Sequence, residues 1–222
     1  MRNKFGFWPY LLIWLYLVLN VLEMRRIVFL KAIVFSVLFV VTTSAYSQLN
    51  PGIYISDVDN IRHELKINDG YLIHTAYESS PAKFIKTLGG FYKTENGNLQ
   101  VKLEFNSDFE KDGLKELSVP FTVENDKLTL NTDSPLIFMH IESMEQDLDG
   151  QWLFATRGPD EGQERRGDSN TRKTLKYLQD NRFQWIAYNT ETFKFSGTGG
   201  GSFSSEDRKY VEKIDFFSRD DS

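Results

Sequence analysis

The residues able to do chemistry in this 222-residue chain are few and far apart. His63, His74 and His140 are its only imidazoles. His63 and His74 fall on neighbouring strands of one predicted hairpin, with Glu64 beside them. A zinc site needs three or four converging ligands, so these read as rim or surface histidines and no metal is assigned. His140 and Glu142 stand two apart and would share a strand face, but one such pair makes no catalytic site. There is no cysteine, hence no thiolate nucleophile, thiolate metal site or disulfide. No G-x-S-x-G elbow is present. The carboxylates are scattered through turns and outward strand positions rather than paired as glycoside hydrolysis requires. The sequence therefore predicts no catalytic residue, no cofactor and no enzyme.

One stretch imitates a phosphate loop: KFSGTGGGSF at 194–203. Such a loop needs consecutive backbone N–H groups and a helix N-terminus after them. The glycines here lead instead into SFSSEDRKYVEKIDFF, which alternates as a strand does. A shift of 111 residues explains the glycines. Over 76–107, eleven of thirty-two residues meet identical ones 111 later: Ala76, Tyr77, Lys83, Phe84, Thr87, Gly89, Gly90, Glu95, Lys102, Phe105 and Ser107 onto Ala187, Tyr188, Lys194, Phe195, Thr198, Gly200, Gly201, Glu206, Lys213, Phe216 and Ser218. Roughly two would coincide at background composition. A one-residue gap brings Leu65-Lys66 onto Leu175-Lys176, and Gly52-Ile53-Tyr54 matches Gly150-Gln151-Trp152. KFSGTGGGSF is then the second copy of KFIKTLGGFY, and paired glycines inside strands mark a bulge or a close backbone approach.

The elements that must carry these residues read as strand after strand. HELKINDGYLIHTAY (63–77) turns at Asn68-Asp69-Gly70, and GGFYKTENGNLQVKLEF (89–105) turns at Asn96-Gly97. Further strands are predicted at 117–124, 127–131, 136–142 and 151–156, a hairpin at 172–188 through Gln179 to Arg182, and a strand at 209–217. No amphipathic helix is predicted after the leader. The fold class is all-β, an antiparallel barrel built from two repeated units at 48–147 and 148–222. The second unit stops after its match to Ser107, whereas the first continues for about forty residues. Either the second barrel is cut short, the preferred reading, or both halves form one barrel of about ten strands.

RKTLKYLQDNRFQWIAYNTETFKFSGTGGGSF…KYVEKIDFFSRD resembles a lipocalin-like family of exported bacterial proteins, typical of Bacteroidetes, and Trp152 in GQW resembles the Gly-x-Trp opening of lipocalins. The resemblance implies a calycin-type barrel whose mouth holds a small apolar ligand, and no particular substrate. Large inward aromatics either fill such a barrel or line its cavity. Trp152, Trp185 and Phe195, with Phe183 and Tyr188, are the candidate pocket wall. The alternative is a module that contacts an envelope protein or a glycan through the charged loop RGPDEGQERRGDSNTRK at 157–173.

The first 47 residues differ from the rest. Met24-Arg25-Arg26, the apolar run 27–41 and the small residues Ala45 and Ser47 spell a secretory signal peptide over 24–47, with cleavage after Ser47. Residues 1–23 hold a second apolar run, read as an extension upstream of a true start at Met24 or as a short membrane helix. Removing the five basic residues and one acidic residue of 1–47 from totals of 26 and 31 leaves 21 and 30, a net charge of −9. An acidic, exported body has no electrostatic footprint for nucleic acid. It is expected to meet a membrane only through its N-terminal segment, if that segment is left uncleaved.

Overall fold

A computed structural model describes residues 49–156, 158 and 165–219, together with Tyr16, Asn20, 23–26, Phe29 and Lys31. Packing divides the chain into Met1–Tyr46 and Ser47–Ser222. The described residues of the first unit are helical. The cleavage site and most of the two apolar runs lie outside the described residues. Among the described residues no helix is long and apolar enough to cross a membrane.

Residues 52–140 carry eight strands: β1 (Gly52–Val58), β2 (Ile61–Asn68), β3 (Tyr71–Ser79), β4 (Ala82–Glu95), β5 (Asn98–Asn106), β6 (Glu116–Glu124), β7 (Lys127–Leu130) and β8 (Leu136–His140). Each pairs antiparallel with the next. β8 returns to β1 through Tyr54 opposite His140 and Ile55 opposite Met139, which closes a barrel. This eight-stranded antiparallel closed barrel fits a lipocalin-like fold. The turns are local chemistry: Asn96-Gly97 and Asn125-Asp126 both take the positive φ that a two-residue hairpin requires. One helical turn, Phe109–Asp112, was not anticipated from the sequence; it sits between β5 and β6.

The remaining strands form an open sheet in the order β13-β12-β11-β10-β9. They are β9 (Gly150–Leu153), β10 (Arg172–Gln179), β11 (Arg182–Asn189), β12 (Phe195–Glu206) and β13 (Lys209–Phe217). Their register copies that of β1–β5. Tyr71 faces Phe91 as Arg182 faces Ser202, and both members are 111 apart. Bulges fall at Ala76/Tyr77 and Gly89/Gly90 in the barrel, and at Ala187/Tyr188 and Gly200/Gly201 in the sheet. The side-chain bonds repeat too. The Thr87 N–H donates to Ser107 Oγ at 2.9 Å and the Thr198 N–H to Ser218 Oγ at 2.8 Å.

This register corrects the expected one-residue gap. Leu65 stands opposite His74, and Lys176, not Leu175, stands opposite Trp185. The two hairpins therefore superpose at 111 with no insertion, and Leu65-Lys66 correspond to Lys176-Tyr177. Sequence identity misled because the second hairpin carries its Leu-Lys pair one step earlier, on swapped faces.

The glycines that resembled a phosphate loop lie within β12. A Cβ on Gly90 or Gly201 would fall well inside contact distance of the Lys102 or Lys213 carbonyl oxygen. One on Gly89 or Gly200 would lie 2.7 or 2.6 Å from the ring of Phe105 or Phe216. Close strand approach at a bulge, not anion binding, fixes these residues.

Three apolar layers result. Tyr54, Leu65, Ile67, Leu72, Leu99, Val101, Leu103, Phe121, Leu128 and Phe138 fill the barrel. Alternate residues on its outer wall, Ile53, Tyr71, Ile73 and Phe105, pack against Leu175, Tyr177, Ile186 and Tyr188 of the open sheet. The third layer, Leu178, Phe183 and Phe203 with Trp185, lies on the opposite face of that sheet. It occupies the positions that face the interior in the barrel.

Candidate functional site

The two sheets meet through a dry polar layer. Glu64 and Lys66 point outward from β2 and are fully buried under the open sheet. Lys66 Nζ lies 2.6 Å from Glu64 Oε1 and donates to Gln184 Oε1 at 3.1 Å. Arg182 closes the cluster. Its Nη2 donates to Glu64 Oε2 at 2.7 Å and to Tyr77 Oη at 3.2 Å, and its Nη1 donates to Asp215 Oδ2 at 2.8 Å. Burial alone would raise the Glu64 carboxyl, but Lys66 and Arg182 outweigh it and hold it down at about 2. Burial lowers the Lys66 ammonium against the pull of Glu64. Gln184 bridges the layers, its Nε2 donating to Thr87 Oγ1 at 3.2 Å and Thr198 Oγ1 at 3.0 Å. Every group here is satisfied by protein, so the layer holds the sheets in register and offers nothing to a substrate.

The histidines do not form a site. His63 Nδ1 lies 3.2 Å from His74 Nε2 inside the barrel, with the rings stacked. Burial, then His63, then Lys86 and Lys66 push the His74 imidazole down to about 3. Burial, then Lys86, lowers the His63 imidazole as well. His140 ends β8, so Glu142 is off the strand and the expected shared face is absent. The His140 ring packs on Tyr54, with centroids 4.7 Å apart. Among the described residues no group of three His, Asp or Glu side chains could hold a metal.

The five candidate wall residues divide between two surfaces. Tyr188 is buried against the barrel and donates to Glu104 Oε2 at 2.9 Å. Phe195 packs on that same side, its ring 6.1 Å from that of Phe84. These two are core. Trp152, Phe183 and Trp185 share the opposite face. Trp152 faces Lys176, Lys176 faces Trp185 and Trp185 faces Gly199, one row straight across the sheet. Gly199 leaves room for the indole: a Cβ there would sit 2.8 Å from Trp185 Nε1.

That face is a trough. The sheet curls until Tyr210 of β13 reaches Lys176 of β10, whose Nζ lies 5.0 Å above the tyrosine ring and 5.5 Å from the ring of Phe183. Glu212 accepts from both Lys176 Nζ and Tyr210 Oη. Leu148, Trp152, Lys176, Leu178 and Tyr210 enclose a mainly apolar recess of about 230 Å³. Trp152 remains 52 % exposed and its indole N–H donates to the Leu148 carbonyl at 3.0 Å. A groove of about 670 Å³ crosses the barrel wall between Phe91, Gln100, Lys102 and Glu116. Its lining mixes these residues with Tyr92, Val101 and Leu117 of the barrel's apolar cluster.

No family model, curated protein or solved structure matches this chain.

Sequence reasoning missed Lys176, Tyr210, Glu212 and Phe203 as trough residues. The signal was present in the shift of 111, which sets them on Leu65, Leu99, Val101 and Tyr92, all barrel-interior or packed against it. The loop at 157–173 carries an alternative reading, but 157 and 159–164 lie outside the described residues.

Proposed function

We propose that this is a non-catalytic binding protein, an exported relative of the lipocalin-like Bacteroidetes proteins, that holds a small apolar molecule in the trough of its open sheet. The observation that carries the reading is that two aromatics on this face stay partly exposed above the buried Phe183 and Phe203, where their counterparts in the barrel are sealed. Trp152 is 52 % and Tyr210 40 % exposed, while their counterparts Tyr54 and Leu99 are each 2 % exposed. Ligand pockets are concave and mostly apolar with few polar groups to orient the ligand, and the Lys176–Glu212 pair supplies those groups. The barrel itself is filled with side chains, which favours the trough over the barrel interior.

Trp152→Ala tests this with little risk to folding, because the indole is half exposed. Titration with the apolar dye 1-anilinonaphthalene-8-sulfonate, followed by fluorescence, should show saturable binding weakened about 10-fold, as losing a stacking aromatic worth roughly 1.4 kcal/mol gives. Unchanged binding in a folded Trp152→Ala protein would rule the trough out.

A further inference from the structure

The barrel shows what lies beyond β5, and among the described residues nothing takes that neighbour's place beside β13, the counterpart of β5. The Leu103 N–H donates to the Lys115 carbonyl at 2.9 Å and the Phe121 N–H to the Gly97 carbonyl at 3.0 Å. The N–H and C=O of one residue in an antiparallel strand point to the same side and alternate along it. Gly97, Leu99, Val101 and Leu103 thus present their backbone to β6. Their counterparts 111 residues on are Arg208, Tyr210, Glu212 and Ile214. Among the described residues no strand pairs with that side of β13. On the trough face of β13, Tyr210 and Ile214 are 40 % and 60 % exposed. A long edge with free backbone groups beside an apolar face is a template for another strand.

We propose that the free edge of β13 docks an extended segment of another polypeptide, antiparallel and in the register that β6 takes on β5. That register sets Glu116 opposite Lys102 and Val119 opposite Leu99. Transferred to β13, an acidic residue faces Lys213 and an apolar one faces Tyr210. Opposite charges and apolar pairs directly across strands each stabilise the pairing. A second copy of this chain fits less well. Two-fold pairing of β13 with itself, centred on the strand, puts Glu212 against Glu212 or Lys213 against Lys213. The inference goes beyond the small-molecule reading, since it uses the backbone edge of β13, although the Tyr210 side chain of that strand also lines the recess at Trp152.

The test uses the full chain and a fluorescein-labelled peptide LKELSVPFTVE, which is residues 114–124 with the β6 pattern. Anisotropy should rise saturably. Ile214→Pro removes one free-side N–H without touching a bond to β12 and should weaken binding at least 10-fold. Lys213→Glu should also weaken it, and the peptide carrying Glu116→Lys should restore it; this pair keeps the test decisive if Ile214→Pro fails to fold. Absence of saturable binding, or binding indifferent to both β13 variants, overturns the proposal. So does sedimentation showing a dimer of the protein alone that Ile214→Pro dissolves, for the edge then belongs to a second copy.

Discussion

Arg182 stands where the first unit has Tyr71, and the exchange changes how the sheets are held. Tyr71 donates to Glu104 Oε2 at 3.0 Å, and Glu104 also accepts from Tyr188. At the matching place Arg182 bonds Asp215, Tyr77 and the buried Glu64. Arg182→Ala leaves Glu64 buried beside Lys66 alone, so we expect a loss of about 3–5 kcal/mol in urea unfolding. Glu64 also sets a pH response. Its folded pKa is depressed, so the stability it contributes is present above its ordinary value of 4.5 and lost as pH falls toward about 2. His74 acts in a higher window with the same sign. Its folded pKa of about 3 lies below its ordinary 6.5, so between these values the unfolded chain binds the extra proton and acid destabilises the fold. Guanidinium unfolding from pH 7 to 4 should show that slope in the wild type and a shallower one in His74→Leu. Equal slopes would mean that His74 is solvated.

At the scale of elements, hairpins and bulges decide the architecture. Asp207 and Arg208 occupy the turn that Asn96 and Gly97 occupy in the barrel, with φ of 52° and 61°. A positive φ on arginine costs about 1 kcal/mol, so Arg208→Gly should raise the midpoint of thermal unfolding. Gly201→Ala should lower stability by about 3 kcal/mol, because its Cβ would collide with a backbone carbonyl that cannot swing away. Much of this was legible. The Asn68, Asn96 and Gln179 turns, the strand alternation and the glycine bulge all came from local residue chemistry. Parity was the part that misled. Leu175-Lys176 reads as a copy of Leu65-Lys66, yet pairing with β11 places Leu175 on the barrel and Lys176 in the trough. Tyr188 and Phe195 lie on the other face from Trp185: Tyr188 by plain alternation three residues on, and Phe195 because the bulge at Ala187/Tyr188 adds Ser196 to β12 and sets Phe195 opposite Tyr188. Alternation within one strand cannot tell which face meets a neighbouring sheet.

At the scale of the molecule, one pattern of five strands meets two fates. In the first unit β6, β7 and β8 seal it as a barrel, and its interior fills with aliphatic and aromatic side chains. In the second the outer face is used to pack on that barrel, and the inner face stays partly open, with Lys176, Tyr210 and Glu212 where the barrel has Leu65, Leu99 and Val101. The sequence carried the shift of 111 that announces this, but not which of its two faces the second unit would bury. Closure and openness also make opposite demands on the backbone of β5 and β13. Amide hydrogen exchange followed by NMR on the unliganded protein reads them side by side. The account predicts slow exchange at Leu99, Val101 and Leu103 and fast exchange at Tyr210, Glu212 and Ile214. Equal protection at the two sets would contradict it, because the second sheet would then be closed and its trough no binding surface.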